Sequence, residues 1–317
     1  MKRPTILITG ANGCAGYHII KRLVESYHIL AVDRKFHNLN EFNTNISLIE
    51  ADVCKKEELD PLFSGVDYVI HLAAKVHMLP KSREDTEEFY KINTKASEEI
   101  FQLCLKHKVK KVIFFSTIAV YGSTSAVIDE QTPANPVTPY AKSKYHAELT
   151  GLKMVREKGL PLVILRPATI YGKLDRGNYR SLISLALKGL GVIPGRGDNI
   201  KPVIYAKDVA AACEKVLQSN TENGEVLIIS EGNYKYWDIL KSIEKAFDKK
   251  LFIIRIPKPI INTLCRYGKI NLGKKLKTLT ESIRLNNNKM VEKLGFKPEY
   301  KLLDGLRDSA EYYRKKK

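Results

Sequence analysis

The chain of 317 residues suffices for one large or two modest domains, and its 44% apolar fraction is that of a globular protein, with no apolar run long enough for a membrane span. The N-terminal Met1-Lys-Arg-Pro4 lacks a secretory apolar core and cleavage site, and the five cysteines include no Cys-x-x-Cys pair, so a cytoplasmic protein with reduced thiols and without disulfides or a zinc knuckle is expected. A net charge of +18 admits an acidic partner, yet the lysines are spread along the chain without a recognition-helix motif or an aromatic-interleaved basic stripe, so no nucleic-acid partner is expected.

Residues 4–9 form a short β-branched and apolar run without a helical period, which predicts a central parallel strand. Gly10-Ala-Asn12-Gly13-Cys14-Ala15-Gly16 follows at once, and residues 17–24 take up a helical period. Strand, glycine loop and helix in that order suit a dinucleotide: the glycines admit its pyrophosphate and the helix N-terminus supplies N–H donors. The next strand, 28–32, ends at Asp33, where a carboxylate accepts the adenosine ribose hydroxyls and repels a 2′-phosphate; this favours NAD. Arg34 and Lys35 pull towards NADP, because a cation there pairs with that phosphate.

A strand at 46–50 leads to Asp52-Val53 and a helix through Leu59, and a strand at 67–71 ends in Leu72-Ala73-Ala74, whose small side chains let a cofactor approach. A polar loop, 75–83, covers the strand ends, and one long helix is expected from about 86 to 108, with Asn93 inside it. The strand 111–115 delivers Ser116 and Thr117 to the crevice where α/β folds bind ligands. After a polar loop, 123–137, Thr138 and Pro139 suit the N-cap and first turn of a helix, which puts Tyr140 and Lys144 on one face. Taken alone, Tyr-x-x-x-Lys is an amphipathic helix with a solvated lysine. Beside Thr117 it forms a hydroxyl, phenol and ammonium set, in which the ammonium lowers the phenol pKa and fits it for proton transfer near neutral pH.

The strand 162–165 closes with Arg166-Pro167-Ala168, after which the strand–helix alternation loosens. The expected division is a first domain over 1–166 and a substrate-binding lobe over 167–317, with segments such as 203–230 returning to the first. Polar landmarks of the second part are Asn178, the Gly195-Arg196-Gly197-Asp198 turn, Lys201 and the run 205–208. A strand is expected at 226–230 and a helix after Leu303. The densest basic region is 255–317, including 274–277 and 314–317; it reads as a solvated face, with an electrostatic funnel for a phosphate-bearing substrate as the alternative.

These residues together resemble the extended short-chain dehydrogenases/reductases of the NAD-dependent epimerase/dehydratase family, over nearly the whole chain. The resemblance is carried by Gly10-x-x-Gly13-x-x-Gly16, Asp33, Asp52-Val53, His71-Leu-Ala-Ala74, Asn93, Thr117, Tyr140-x-x-x-Lys144, Arg166-Pro-x-x-x-Tyr171-Gly172 and Leu294-Gly-Phe296-x-Pro298. It implies an α/β fold, a Rossmann-type doubly wound parallel sheet with a smaller C-terminal α/β substrate lobe, and a homodimer. By resemblance, Gly10, Asn12, Gly13, Cys14, Ala15, Gly16, Asp33, Arg34, Asp52, Val53, Leu72, Ala73, Ala74, Asn93, Ser116 and Pro167 hold NAD. Tyr140 and Lys144 would serve both cofactor and catalysis, and Thr117, Asn178 and Lys201 would meet a nucleotide sugar.

Lys201 stands where many members of the family place an arginine, which removes a bidentate diphosphate contact. Ile118 and Ala119 stand where the sugar-nucleotide dehydratases have an Asp-Glu pair, which argues against a 4,6-dehydratase. The resemblance leaves a UDP-sugar 4-epimerase and a UDP-4-keto-6-deoxy-N-acetylhexosamine 4-reductase of surface-polysaccharide synthesis both open. A cofactor-sensing regulator without catalysis is a third reading, against which Tyr140 and Lys144 both stand.

Overall fold

The computed structural model describes residues 3–42, 44–76, 80, 82–175, 177–267 and 279–315. His77, Met78, the basic run 274–277 and residues 316–317 lie outside the described residues, as do the side chains of Asn178, Cys265 and Tyr267. The first half runs β1 (Thr5–Thr9), α1 (Cys14–Leu23), β2 (His28–Asp33), β3 (Ile46–Glu50), α2 (Lys56–Leu59), β4 (Tyr68–His71), α3 (Arg83–Tyr90), α4 (Ala96–Lys106), β5 (Lys111–Phe115), β6 (Val127–Ile128) and α5 (Pro139–Lys158). The second runs β7 (Leu162–Pro167), β8 (Thr169–Tyr171), α6 (Asn178–Leu187), β9 (Leu190–Pro194), β10 (Ile200–Tyr205), α7 (Ala206–Gln218), β11 (Glu225–Ile229), β12 (Gly232–Lys235), α8 (Tyr236–Phe247), β13 (Phe252–Ile256), α9 (Lys258–Tyr267) and β14 (Arg284–Leu285). Helices over Asn288–Leu294 and Leu302–Lys315 follow.

Seven strands form one parallel sheet in the order β11-β7-β5-β4-β1-β2-β3. Apolar clusters on both faces bury β1, β4, β5 and β7, which is why these strands read as continuous apolar runs rather than alternating ones. The chain winds outward from β1 in both directions, so the strand order reverses beside β1 and opens a crevice at the carboxyl ends of the strands. This is a Rossmann-type α/β fold. Among the described residues no helix is long and apolar enough to cross a membrane.

Helix α1 begins at Cys14, three residues before the helical period becomes legible. The long helix expected over 86–108 is interrupted: α3 ends at Tyr90, a π turn spans Lys91–Lys95, and α4 begins at Ala96. Asn93 sits in that turn, fully buried, and its amide bonds both the main chain of Lys75 and the hydroxyl of Ser143. Aiming this side chain between the end of β4 and α5 accounts for the extra residue in the turn.

After β7 the chain builds a smaller lobe from the sheet β12-β10-β8, the pair β13-β9 and helices α6 and α8. Its core is a tyrosine stack, with Tyr171 centred 5.2 Å from Tyr179 and 5.3 Å from Tyr205. In between, α7 packs on α1 and β11 pairs with β7, so 206–229 belong physically to the first domain. Met290, Leu294 and Phe296 join the same core, and β14 pairs with β6, a second return that the loosened alternation did not reveal.

Candidate active site

A cavity of about 880 Å³ follows the carboxyl ends of the strands. At one end it meets the glycine turn. Gly10 has φ +70°, and a Cβ there would lie 2.7 Å from the backbone N of Ala73, so β1 and β4 end in contact. At Gly16 a Cβ would come within 2.4 Å of the Ala11 carbonyl oxygen, so only glycine lets α1 start this close to the strand. Gly13 precedes α1 in an extended conformation, with no capping side chain and no acid in the first helical turn. The helix therefore presents N–H groups and positive dipole to the cavity, and Cys14 and Ala15 line it there.

Asp33 ends β2 on the cavity wall, and its two carboxylate oxygens accept from the N–H groups of Asn12 at 2.9 Å and Arg34 at 2.8 Å. The Asn12 side chain is committed to the following loop: its amide donates to the Lys35 carbonyl and accepts from His37 and Asn38. Arg34, Asp52, Val53, Leu72, Ala73, Ala74 and Pro167 also line the cavity. Asn93 does not reach its wall, since the amide braces Lys75 and Ser143 instead.

At the centre, β5 delivers Ser116 and Thr117, and α5 delivers Tyr140 and Lys144. Thr138 caps α5 by accepting from the Ala141 N–H at 3.1 Å, which sets the helix start that puts Tyr140 and Lys144 one turn apart. Thr117 accepts from the Ala119 N–H at 3.1 Å and lies beside the Tyr140 phenol on the cavity wall. Burial raises the phenol pKa and the Thr117 contact opposes the rise. The expected lowering by Lys144 is not what dominates here: Lys144 lies 1% exposed, with its ammonium 4.1 Å from the centre of the Phe114 ring. Burial brings Lys144 down to about 7, against the pull of Glu148 one turn further along α5. Ile118 and Ala119 line the cavity after Thr117 and offer neither acid nor base.

The hydroxyl of Ser116 is buried without a hydrogen-bond partner among the described residues. The far end of the cavity is walled by Tyr179, Leu182, Tyr236, Ile239 and Lys201. The Tyr179 hydroxyl is likewise buried without a partner, and burial lowers Lys201 to about 8 against the pull of Glu281. Tyr179, Tyr236 and Lys75 line the cavity without having been singled out in the sequence. Tyr179 adjoins Asn178 and Lys75 adjoins Ala74, and that adjacency was the signal available. Backbone donors at an open helix end, a carboxylate at the end of β2 and an orphaned Ser116 hydroxyl form a donor set that fits a dinucleotide.

Residues 6–230 match the family described as "NAD dependent epimerase/dehydratase family". The chain belongs to this family. Its members of known name include a putative UDP-glucose 4-epimerase of Methanocaldococcus jannaschii, 29% identical over 313 residues that cover 95% of this chain and 96% of the relative. An Escherichia coli O157:H7 protein named N-acetyl-alpha-D-glucosaminyl-diphospho-ditrans,octacis-undecaprenol 4-epimerase is 27% identical across 80% of this chain and 76% of its own length. Among solved structures, UDP-N-acetylglucosamine 4-epimerase from Methanobrevibacter ruminantium M1, in complex with UDP-N-acetylmuramic acid, superposes with a TM-score of 0.85 at 26% identity over the whole of both chains. The protein is thus an enzyme of the epimerase/dehydratase family, with the Thr117, Tyr140 and Lys144 set in its central cavity.

Proposed function

We propose that the protein is a nucleotide-sugar 4-epimerase, acting on a UDP-sugar with NAD held in the first domain. The observation that carries the reading is the meeting of Thr117 and Tyr140, with Lys144 one turn away, in the cavity that also receives the open N-terminus of α1. Relatives and neighbours named as 4-epimerases of UDP-sugars support it.

In this reading Gly13 and the first turn of α1 hold the pyrophosphate, Asp33 the adenosine ribose, and Ser116 offers its unmatched hydroxyl to the cofactor. Bound NAD would supply the hydride acceptor at sugar C4 and later the donor. Tyr140 takes the proton of the C4 hydroxyl through its phenolic oxygen and returns it to the C4 oxygen after the sugar ring has turned. Thr117, beside that phenol, bonds the same sugar oxygen. Lys144 in its charged form favours the phenolate. Lys201, on the cavity wall, meets the diphosphate as a point charge. Ile118 and Ala119 themselves carry no acid or base to eliminate water, which supports chemistry confined to hydride and proton transfer at one carbon.

The experiment is to denature the purified protein and quantify the nicotinamide cofactor released. An epimerase restores its cofactor in each cycle and gains by retaining it, so near-stoichiometric NAD is expected. A site that comes empty and then loads NADH or NADPH overturns this reading in favour of the 4-ketoreductase.

A further inference from the structure

Lys75 follows Ala74 at the end of β4 and lines the central cavity. Two separate connections tie it to the catalytic helix. Its main chain is clamped by the Asn93 amide, which accepts from the Lys75 N–H at 2.8 Å and donates to the Lys75 carbonyl at 3.1 Å. The same amide donates at 3.0 Å to the hydroxyl of Ser143, which stands between Tyr140 and Lys144 on α5. Its ammonium lies 5.2 Å from the centre of the Phe89 ring, and that ring meets Tyr140 edge-on with centres 6.4 Å apart. The Lys75 side chain, 9% exposed, is therefore held on the Tyr140 side of the cavity.

The ammonium pairs with Glu88 and, at 3.6 Å, with Asp85 one turn earlier on α3, and both carboxylates line the cavity with it. The other cations of α3 and the turn after it are engaged elsewhere. Arg83 pairs with Glu87 on the exposed side of the helix. Lys91 stands towards the cofactor end: burial raises the Cys54 thiol, Asp52 adds to the rise and Lys91 opposes both. Among the described residues, one ammonium thus faces two carboxylates on this wall, and the group carries a surplus negative charge. The acids are 28% and 49% exposed, and pairs this open to water do little to brace a helix.

We propose that Lys75, Asp85 and Glu88 form the specificity filter for the sugar ring, admitting hexoses with uncharged substituents and excluding hexuronates. The inference rests on the UDP-sugar reading above. Substituents on C3 and C5 flank the carbon that Tyr140 serves, and because the ring presents its two faces in turn, each passes the wall beside Tyr140. Lys75 donates there to a hydroxyl or N-acyl oxygen, and Asp85 and Glu88 accept from hydroxyl groups. A carboxylate at C6, carried on C5, meets two like charges and an ammonium that is already paired. It is turned away by repulsion rather than by shape.

The test is calorimetric titration of the NAD-loaded protein with UDP-glucose and with UDP-glucuronate, which differ at C6 alone. The wild type binds UDP-glucose about tenfold more tightly, the effect of one uncompensated charge at close range, and the margin shrinks as salt rises. The variants move it in opposite directions. Asp85→Asn/Glu88→Gln releases the ammonium to a carboxylate and removes the repulsion, so the preference vanishes or reverses, whereas Lys75→Met leaves both acids unbalanced and widens it. Thermal unfolding checks that each variant is folded. Equal affinities in the wild type, tighter binding of UDP-glucuronate, or binding of neither sugar nucleotide overturns the proposal. So does a preference that the variants leave unchanged, which is what a merely bracing ion pair gives. The C4 reading fails separately, when a wild type that prefers UDP-glucose does not interconvert its C4 epimers.

Discussion

Arg166 grips Glu148 through two hydrogen bonds, one from Nε to Oε1 at 2.9 Å and one from Nη2 to Oε2, while its Nη1 donates to the Tyr121 hydroxyl at 2.7 Å. Both charges are buried, and Glu148 stands one turn beyond Lys144 on α5. The pair anchors the catalytic helix to the end of β7 and sets the field at the lysine. Glu148→Gln leaves a buried guanidinium without its counter-charge and destabilises the protein by about 3–5 kcal/mol. Glu148→Leu/Arg166→Met, which removes both charges, costs less than either single change. Urea unfolding of the three variants checks the order; a double variant no better than the singles contradicts it.

The buried lysines give the ligand-free protein an alkaline signature. Lys144 is lowered to about 7 and Lys201 to about 8, from an ordinary 10.5, so between those values the unfolded chain holds more protons than the folded one. Stability then rises with pH from about 7 towards 9. Above the ordinary thiol value of 9 the sign reverses, because burial raises the thiols of Cys14, Cys104 and Cys213 and, beyond 10, the Tyr140 phenol. Lys144→Met flattens the rise. Thermal midpoints across that range decide, and a stability that falls between pH 7 and 9 contradicts the assignment.

Tyr140→Phe keeps the ring packed edge-on against Phe89 and removes the proton carrier. Turnover falls by roughly 10²–10⁴-fold while the unfolding transition stays in place. Near-normal turnover would show that the phenol moves no proton.

Asp33→Ala removes the carboxylate that receives the Asn12 and Arg34 N–H groups at the end of β2. Affinity for NAD falls more than affinity for NADP, because the change also removes the charge that repels a 2′-phosphate. Titration with both cofactors measures the ratio; an unchanged ratio places Asp33 away from the ribose.

The parts of this molecule that a sequence shows well are those set by local chemistry. The run before Gly10 is apolar because both faces of β1 are covered, and Thr138-Pro139 opens α5 because a hydroxyl cap and a proline suit a first turn. Asn93 misled for a physical reason: spacing places it on a helix, but only the tertiary structure shows its amide spent on Lys75 and Ser143. The state of Tyr140 and Lys144 was equally hidden, since a four-residue spacing carries no information about depth, and depth decides both pKa shifts. The smaller lobe was the least legible part. Its short strands pair across long separations, as when β13 meets β9, and no local period announces such contacts.

The most direct test of C4 epimerisation is to give the purified protein UDP-glucose or UDP-N-acetylglucosamine without added cofactor and follow the sugar C4 configuration by NMR, while monitoring reduced-nicotinamide absorbance. Approach from either side to an equilibrium of the two C4 epimers is expected, with no net oxidation or reduction, and loss of that conversion in Tyr140→Phe. Failure to interconvert either pair of sugars by protein shown to carry NAD, or conversion of a 4-keto sugar only with stoichiometric consumption of reduced cofactor, contradicts it.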